Sequence, residues 1–330
     1  MFRTFKTRPF LSALPASPIR SPQIKPVFTF TSTSRPNASM LHRYKPTITS
    51  DIVRLMVLET DKPHPDTQSE KGSFGEIVHR HFSDAGKAHH PPLGVETDQV
   101  FVVTEQGGQM PKFQDFDGFD GLLITGSMYD AHGDNQWIQD LLALLKELWT
   151  KKPGFTFTGV CFGHQLLARM LGAEVGPSPK GDWELGHSSI TLTPTGQRLF
   201  RTQAPEVHLH QMHQDQVVAP PTRDSAGGLL DKDAQVECWG TSSHTKVQGL
   251  YIRNRLFTTQ AHVGFDEDMV KRQIAMREEA GGIQDREHAN RAKETAHLEH
   301  DGKEVAKAIL RVIRTDDDGG WETVTNDHGN

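Results

Sequence analysis

"GFTFTGVCFGHQLLARM", residues 154–170, decides how the rest of the chain is read. Its first part, 154–160, reads as a buried strand, and 162–173 carries apolar residues at helical spacing. Between them Gly159, Cys161 and Gly163 form G-x-C-x-G, the thiol counterpart of the G-x-S-x-G nucleophile elbow. A turn that sharp holds the nucleophile in a strained backbone conformation. Side chains two residues away on either side would collide with each other or with a substrate, which is why glycine flanks the cysteine. The thiol would stand at the N-terminus of the following helix, where the helix dipole and free backbone N–H groups favour thiolate. Cysteine is also among the residues most often buried in ordinary cores. The strand before it, the helix after it and the two glycines point to a nucleophile instead.

Working outward, the same alternation repeats. "IVRLMVL" (52–58), "QVFVVTE" (99–105) and "FDGLLITGS" (119–127) read as strands. "FGEIVHRHFSDAG" (74–86), ending on Gly86, and "NQWIQDLLALLKELW" (135–149) read as amphipathic helices. Strand, helix, strand, helix implies a mostly parallel sheet with helices on both faces. After residue 175 come short β-like pieces, "HSSITLTP", "EVHLH", "QVECWG", "KVQGLYI" and "RLFTTQAH", before helices return at 267–280 and 301–314. The expectation is one α/β domain over 51–315 with an antiparallel β excursion, followed by a disordered tail at 316–330.

The 330 residues are 35% hydrophobic and 24% charged, with no run near the roughly 18 apolar residues of a membrane span. Two cysteines, Cys161 and Cys238, are too few for a disulfide scaffold and suit a reducing compartment. Residues 1–50 carry eight Lys or Arg and no acid, so all 42 Asp and Glu follow them. That acidic body argues against a nucleic-acid surface. The basic arm is read as a disordered extension outside the fold. It has the composition of a transit peptide, which would direct the chain to mitochondria; the alternatives are a plain disordered leader or a start placed too early, with Met40 or Met56 as the beginning, and the expected location is the cytoplasm.

A thiol hydrolase also needs a base. His164 lies one turn along the helix from Cys161 and is expected to be structural. His262 ends the strand "RLFTTQAH", which would reach the carboxyl edge of the sheet, where α/β proteins bind ligands and where Cys161 emerges. With the elbow "GVCFGHQLLA", "ITGSMYDAHGDNQWI" (124–138), "ELGHSSITL" (184–192) and "HQMHQDQV" (210–217), the chain resembles the class I glutamine amidotransferase domain over about 52–265. It is most similar to stand-alone members of fungal and plant type, without a fused synthase. The resemblance implies a flavodoxin-like fold and hydrolysis of a glutamine side-chain amide by Cys, His and Glu. On that basis Cys161 would form a γ-glutamyl thioester and His262 would shuttle the proton. Backbone N–H of Phe162 and Ser127 would hold the oxyanion, in the turn that includes Gly126. Gln165 would contact the substrate amino acid, and the loop Met212 to Asp215, with Met212 and His213, would line its α-amino and α-carboxyl end.

One position departs from the pattern. The family reads His-Pro-Glu after the catalytic histidine, and this chain reads His262, Val263, Gly264. Positions i and i+2 of a strand share a face, so the family glutamate reaches its histidine and Gly264 cannot. Asp266 and Glu267 are the nearby acids that could substitute. "HLHQMHQD" brings His208, His210, His213 and Asp215 together in a pattern with a superficial likeness to a metal cluster, but it completes no known spacing. Related cysteine peptidases place histidine directly after the nucleophile, where this chain has Phe162. No cofactor and no metal is expected. The expected partners are glutamine or a γ-glutamyl small molecule and a separate synthase subunit, with no nucleic acid and no membrane. Two functions follow. One is a thiol-dependent amidohydrolase acting on glutamine or γ-glutamyl amide and peptide bonds. The other is a catalytically impaired or silent binding or regulatory relative.

Overall fold

The near-continuous apolar runs of strands such as 52–58 and 121–124 point successive side chains to opposite faces, so both faces must be covered and a layered α/β architecture follows. The computed structural model describes residues 42–46 and 51–316. In chain order they form β1 (His42–Tyr44), β2 (Ile52–Glu59), α1 (Pro65–Lys71), α2 (Phe74–Lys87), β3 (Gly94–Phe101), β4 (Gly121–Ile124), α3 (Gln136–Lys151), β5 (Thr156–Val160) and α4 (Phe162–Met170). Next come β6 (Val175–Pro177), β7 (Glu184–Leu192), α5 (Pro194–Phe200), β8 (Glu206–His213), β9 (Asp215–Val217), β10 (Glu237–Thr241), β11 (Gly249–Ile252) and β12 (Leu256–Thr259). Helices α6 (Glu267–Glu279), α7 (Arg286–Glu294) and α8 (Gly302–Ile313) complete the described residues.

A ten-stranded sheet runs β1-β3-β2-β4-β5-β12-β11-β10-β7-β8. Strands β3, β2, β4, β5 and β12 are parallel, in the doubly wound flavodoxin-like order. The strands beyond β12 are antiparallel and form the expected excursion. Met56, Leu58, Leu122, Ile124 and Phe157 face one core layer with Trp137, Leu141, Leu145 and Leu166 of α3 and α4. Val53, Leu55, Val57 and Leu123 face the other with Phe82, Ile309 and Leu310 of α2 and α8. All of these are fully buried, and each contributes about 1.5–3 kcal/mol.

Three expectations are corrected. Gly86 does not end its helix. A Cβ there would lie 2.6 Å from the Leu93 carbonyl oxygen, so the glycine allows α2 to lie close against the start of β3. The arm 1–50 does not stay wholly outside the fold. Strand β1 pairs antiparallel with β3, and Arg43 binds Asp98 through two hydrogen bonds of 2.8 and 2.7 Å. The rest of that arm, and the tail from 317, lie outside the described residues. A start at Met56 would remove the first four residues of the central strand β2. The third correction is α7, a helix the periodicity did not single out. Among the described residues, no helix is long and apolar enough to cross a membrane.

Register fixes where the chemistry stands. Thr259 of β12 pairs with Val160 of β5, and Ile124 of β4 pairs with Gly159. The three strands therefore end level, and the segments after them, at 125–127, 161 and 260–262, share one edge of the sheet. The antiparallel arm folds back to the same place: the His262 N–H donates to the His210 carbonyl of β8 at 2.9 Å.

Candidate active site

Cys161 has φ 53° and ψ −106°, the left-handed side of the map, which a residue with a Cβ rarely adopts. Such a conformation costs on the order of 1–3 kcal/mol and persists only where the surroundings dictate it. Here they do. The Cys161 N–H donates to the Thr259 carbonyl at 2.8 Å, and its carbonyl accepts from the Gln165 N–H at 3.1 Å. The Phe162 ring stacks on Trp137 of α3, with centroids 5.6 Å apart. The glycines are required by contact. A Cβ on Gly159 would lie 2.4 Å from the Gly163 backbone, and one on Gly163 would lie 2.3 Å from the Ile124 carbonyl oxygen. The elbow foreseen in the sequence is thus held by the strands on both sides.

Cys161 and His262 converge on Gly126, in the turn after β4. A Cβ on Gly126 would sit 2.9 Å from Cε1 of His262 and 3.5 Å from Cβ of Cys161. The three residues line one cleft with Ser127 and Met212. Ser127 anchors the turn by donating its hydroxyl to the Thr60 carbonyl at 2.8 Å. The Phe162 N–H, first in α4, has no intrahelical acceptor and interacts with the Cys161 sulfur. In the resting arrangement the thiol points to the Met212 carbonyl, 3.9 Å away, and Nε2 of His262 is buried without a hydrogen-bond partner.

Burial sets the charge states. It pushes the Cys161 thiol up to about 11, against the smaller opposing pull of Arg277 and the Phe162 N–H. It pushes His262 down to about 3, helped by charge repulsion from His213, Arg277 and His210. The resting pair is therefore neutral thiol and neutral imidazole. This corrects the expectation of a helix-stabilised thiolate: desolvation of the charged sulfur outweighs the partial charge of a nine-residue helix.

The missing carboxylate has no replacement among the nearby acids. Asp266 caps α6, accepting from the Met269 N–H at 3.1 Å, and binds Lys71 at 2.5 Å. Glu267 binds Lys271 on its own helix. An aromatic ring takes over part of the orienting task, since Phe265 stacks on the His262 imidazole with centroids 3.9 Å apart and planes 16° from parallel. The Gly264 position is open enough for a side chain: a Cβ there would make ordinary contacts of 3.6–3.8 Å with His81 and Ile77.

Two residues expected to touch substrate stand away from the cleft lining. The Gln165 side-chain amide donates to the Asp215 carbonyl at 2.7 Å and to Oε1 of Gln260 at 3.1 Å. The His213 ring lies between the Asp215 carbonyl at 2.9 Å and Glu184 at 3.1 Å. Both hold the 213–215 turn in place. His164, expected to be structural, is fully buried with Nδ1 2.7 Å from the Thr258 hydroxyl. Among the described residues no group of three or more His, Cys, Asp or Glu could hold a metal ion. The cleft also contains three charged residues that sequence reasoning missed, Asp61 and Lys62 after β2 and Arg277 in α6. None belongs to a local motif, and only the fold brings them to Cys161.

Comparisons with known proteins bear on the family and the fold. Residues 93–265 match the family described as Glutamine amidotransferase class-I. A Saccharomyces cerevisiae protein named as a glutamine amidotransferase is 31% identical over 267 residues, which span 79% of this chain and 98% of the relative. Gamma-glutamyl peptidase 2 of Arabidopsis thaliana is 32% identical over 153 residues, 46% of this chain and 60% of that one. In fold, the crystal structure of a glutamine amidotransferase from Thermotoga maritima has a TM-score of 0.52 at 18% identity, covering 79% of this chain and 97% of that one.

Proposed function

Because the chain belongs to the class-I glutamine amidotransferase family, we propose that it is a thiol-dependent amidohydrolase cleaving glutamine or γ-glutamyl amide and peptide bonds. The observation that carries this reading is the meeting of an elbow cysteine and a buried imidazole at Gly126. The names of the plant relatives support the γ-glutamyl class of substrate.

The chemistry follows from the neutral resting pair. As Sγ of Cys161 attacks the amide carbon, its proton passes to the His262 imidazole, so free thiolate never has to accumulate in the apolar cleft. The carbonyl oxygen becomes an oxyanion facing the N–H groups of Phe162 and Ser127. The imidazolium then gives its proton to the departing nitrogen, the C–N bond breaks, and a γ-glutamyl thioester remains with ammonia or an amine released. Water, deprotonated by the same imidazole, attacks the thioester and frees glutamate and the thiol. A synthase subunit that takes up the ammonia is a further partner compatible with this scheme.

The imidazolium is the weak point, because burial disfavours its charge and the side chains acting on it through space, His213, Arg277 and His210, repel a positive charge. Gly264 therefore also favours a second reading, a catalytically silent binding protein. Gly264→Glu separates the two. If the missing carboxylate limits turnover, the variant raises kcat by at least ~10-fold, a fraction of the ~10⁴ that such a group is worth in serine triads. Steady-state glutamate release checks this: no release from either protein supports the silent reading, and a measurable kcat that is the same in both would mean that the stacked Phe265 already does the orienting.

A further inference from the structure

The cleft is lined by three charged residues that the hydrolytic scheme leaves unused, Asp61, Lys62 and Arg277; the Lys62 ammonium lies over the Phe101 ring, 4.7 Å from the centroid, and the other two are opposite in sign. The Asp61 carboxylate is fixed by the N–H groups of Met128 at 2.6 Å and Lys62 at 2.8 Å. Arg277 enters from the last turn of α6 with its guanidinium over the Trp183 ring, 5.3 Å from the centroid. Its Nε is buried without a hydrogen-bond partner, and among the described residues it forms no ion pair, even with Asp61. It is still near enough to Asp61 and Cys161 to interact with both through space. A guanidinium that is oriented by stacking, partly stripped of water and unpaired is unfavourable in the empty protein and becomes favourable when a ligand supplies a carboxylate. Of the residues first expected to read the polar end of the substrate, Gln165 has its amide nitrogen and His213 both ring nitrogens engaged inside the protein, and neither lines the cleft.

We propose that Arg277 and Asp61 form the receptor for the free α-amino-acid head of the substrate, Arg277 taking the α-carboxylate and Asp61 the α-ammonium, with the amide end directed at Cys161. This rests on the reading of the site as one for glutamine and γ-glutamyl compounds. It narrows that class to molecules whose glutamyl head is free: a glutamyl unit joined to another residue through its α-carboxyl or α-amino group would be refused.

The test measures binding to the full chain, separately from turnover. In a Cys161→Ala background, which cannot form the thioester, calorimetry compares glutamine with its analogue lacking the carboxylate, 4-aminobutanamide, and its analogue lacking the amine, glutaramic acid. Adding Arg277→Gln should weaken glutamine and glutaramic acid by about 10- to 100-fold and leave 4-aminobutanamide unaffected, with partial recovery in Arg277→Lys. Asp61→Asn should weaken glutamine and 4-aminobutanamide and spare glutaramic acid. Equal loss for all three ligands, or no loss for any, overturns the proposal. Its fate is separable from that of the hydrolytic reading. Head-selective binding in a protein that releases no glutamate sustains the receptor and rejects the enzyme. Release by a wild type whose glutamine affinity ignores Arg277 does the reverse.

Discussion

Cys161→Ala is expected to lower glutamate release from glutamine and γ-glutamyl dipeptides by at least about 10⁴-fold, because losing the nucleophile removes the covalent route altogether. The effect is large because the cleft offers no second thiol among the described residues: Cys238, the other cysteine, sits on β10 and does not line it. Cys161→Ser is a sharper variant. It keeps a protic nucleophile at the elbow but gives the imidazole a much weaker acid to deprotonate, and with no carboxylate behind His262 the serine variant should be nearly as inactive as alanine. Side-by-side assays of glutamate release check both. Release that persists in Cys161→Ala would reject the mechanism.

The second large effect concerns stability in acid. His164 and His262 are held down to about 3 and His210 to about 4, in each case first by burial. Their ordinary value is 6.5, so the unfolded chain binds protons that the native state refuses. Stability therefore rises with pH wherever that difference operates. The contribution is fully intact above about 6.5 and is lost as the pH falls from there toward the folded-state values. Each such histidine costs about 1.4 kcal/mol per pH unit across that window, and three together cost about 4. Against a typical total of about 5–15 kcal/mol, cooperative unfolding is expected by about pH 4–5. Asp61 and Asp215, whose carboxyls burial raises, reduce the slope without reversing it. Urea midpoints measured from pH 7.5 down to 4.5 check this, and His164→Gln should flatten the slope by about one proton. Equal stability at pH 4.5 and 7.5 would show that these imidazoles are solvated.

Much of this was written locally in the chain. The apolar strands, the helix over 136–151 and the elbow at 159–163 follow from patterns a few residues long, and the packing at Gly159 and Gly163 explains why those patterns allow no substitution. Placing His262 near Cys161 needed one more step, the rule that ligands gather at the carboxyl ends of parallel strands; β5 and β12 end level, and both residues lie against Gly126. The rest depends on contacts between distant segments. Arg277 is one residue of a polar helix until α6 packs over the cleft, and Asp61 is a turn acid until Met128, 67 positions away, donates to it. Strand β1 was hidden because its sequence belongs to a basic, proline-bearing arm and its partner, Asp98, lies 55 residues on. The protonation of Cys161 was misjudged for a similar reason. A helix N-terminus can be read from sequence, whereas the desolvation that overrides it depends on what the finished fold places around the sulfur.

The central claim is that the Cys161 sulfur carries the glutamyl group between the two halves of the reaction. Acid-quenching the wild-type protein within its first turnovers on a γ-glutamyl dipeptide, then mapping the digested chain by mass spectrometry, tests it most directly. The expected result is a hydroxylamine-sensitive γ-glutamyl adduct on the peptide containing Cys161, absent from Cys161→Ala. Glutamate release with no adduct, or with the adduct on Cys238, would contradict it.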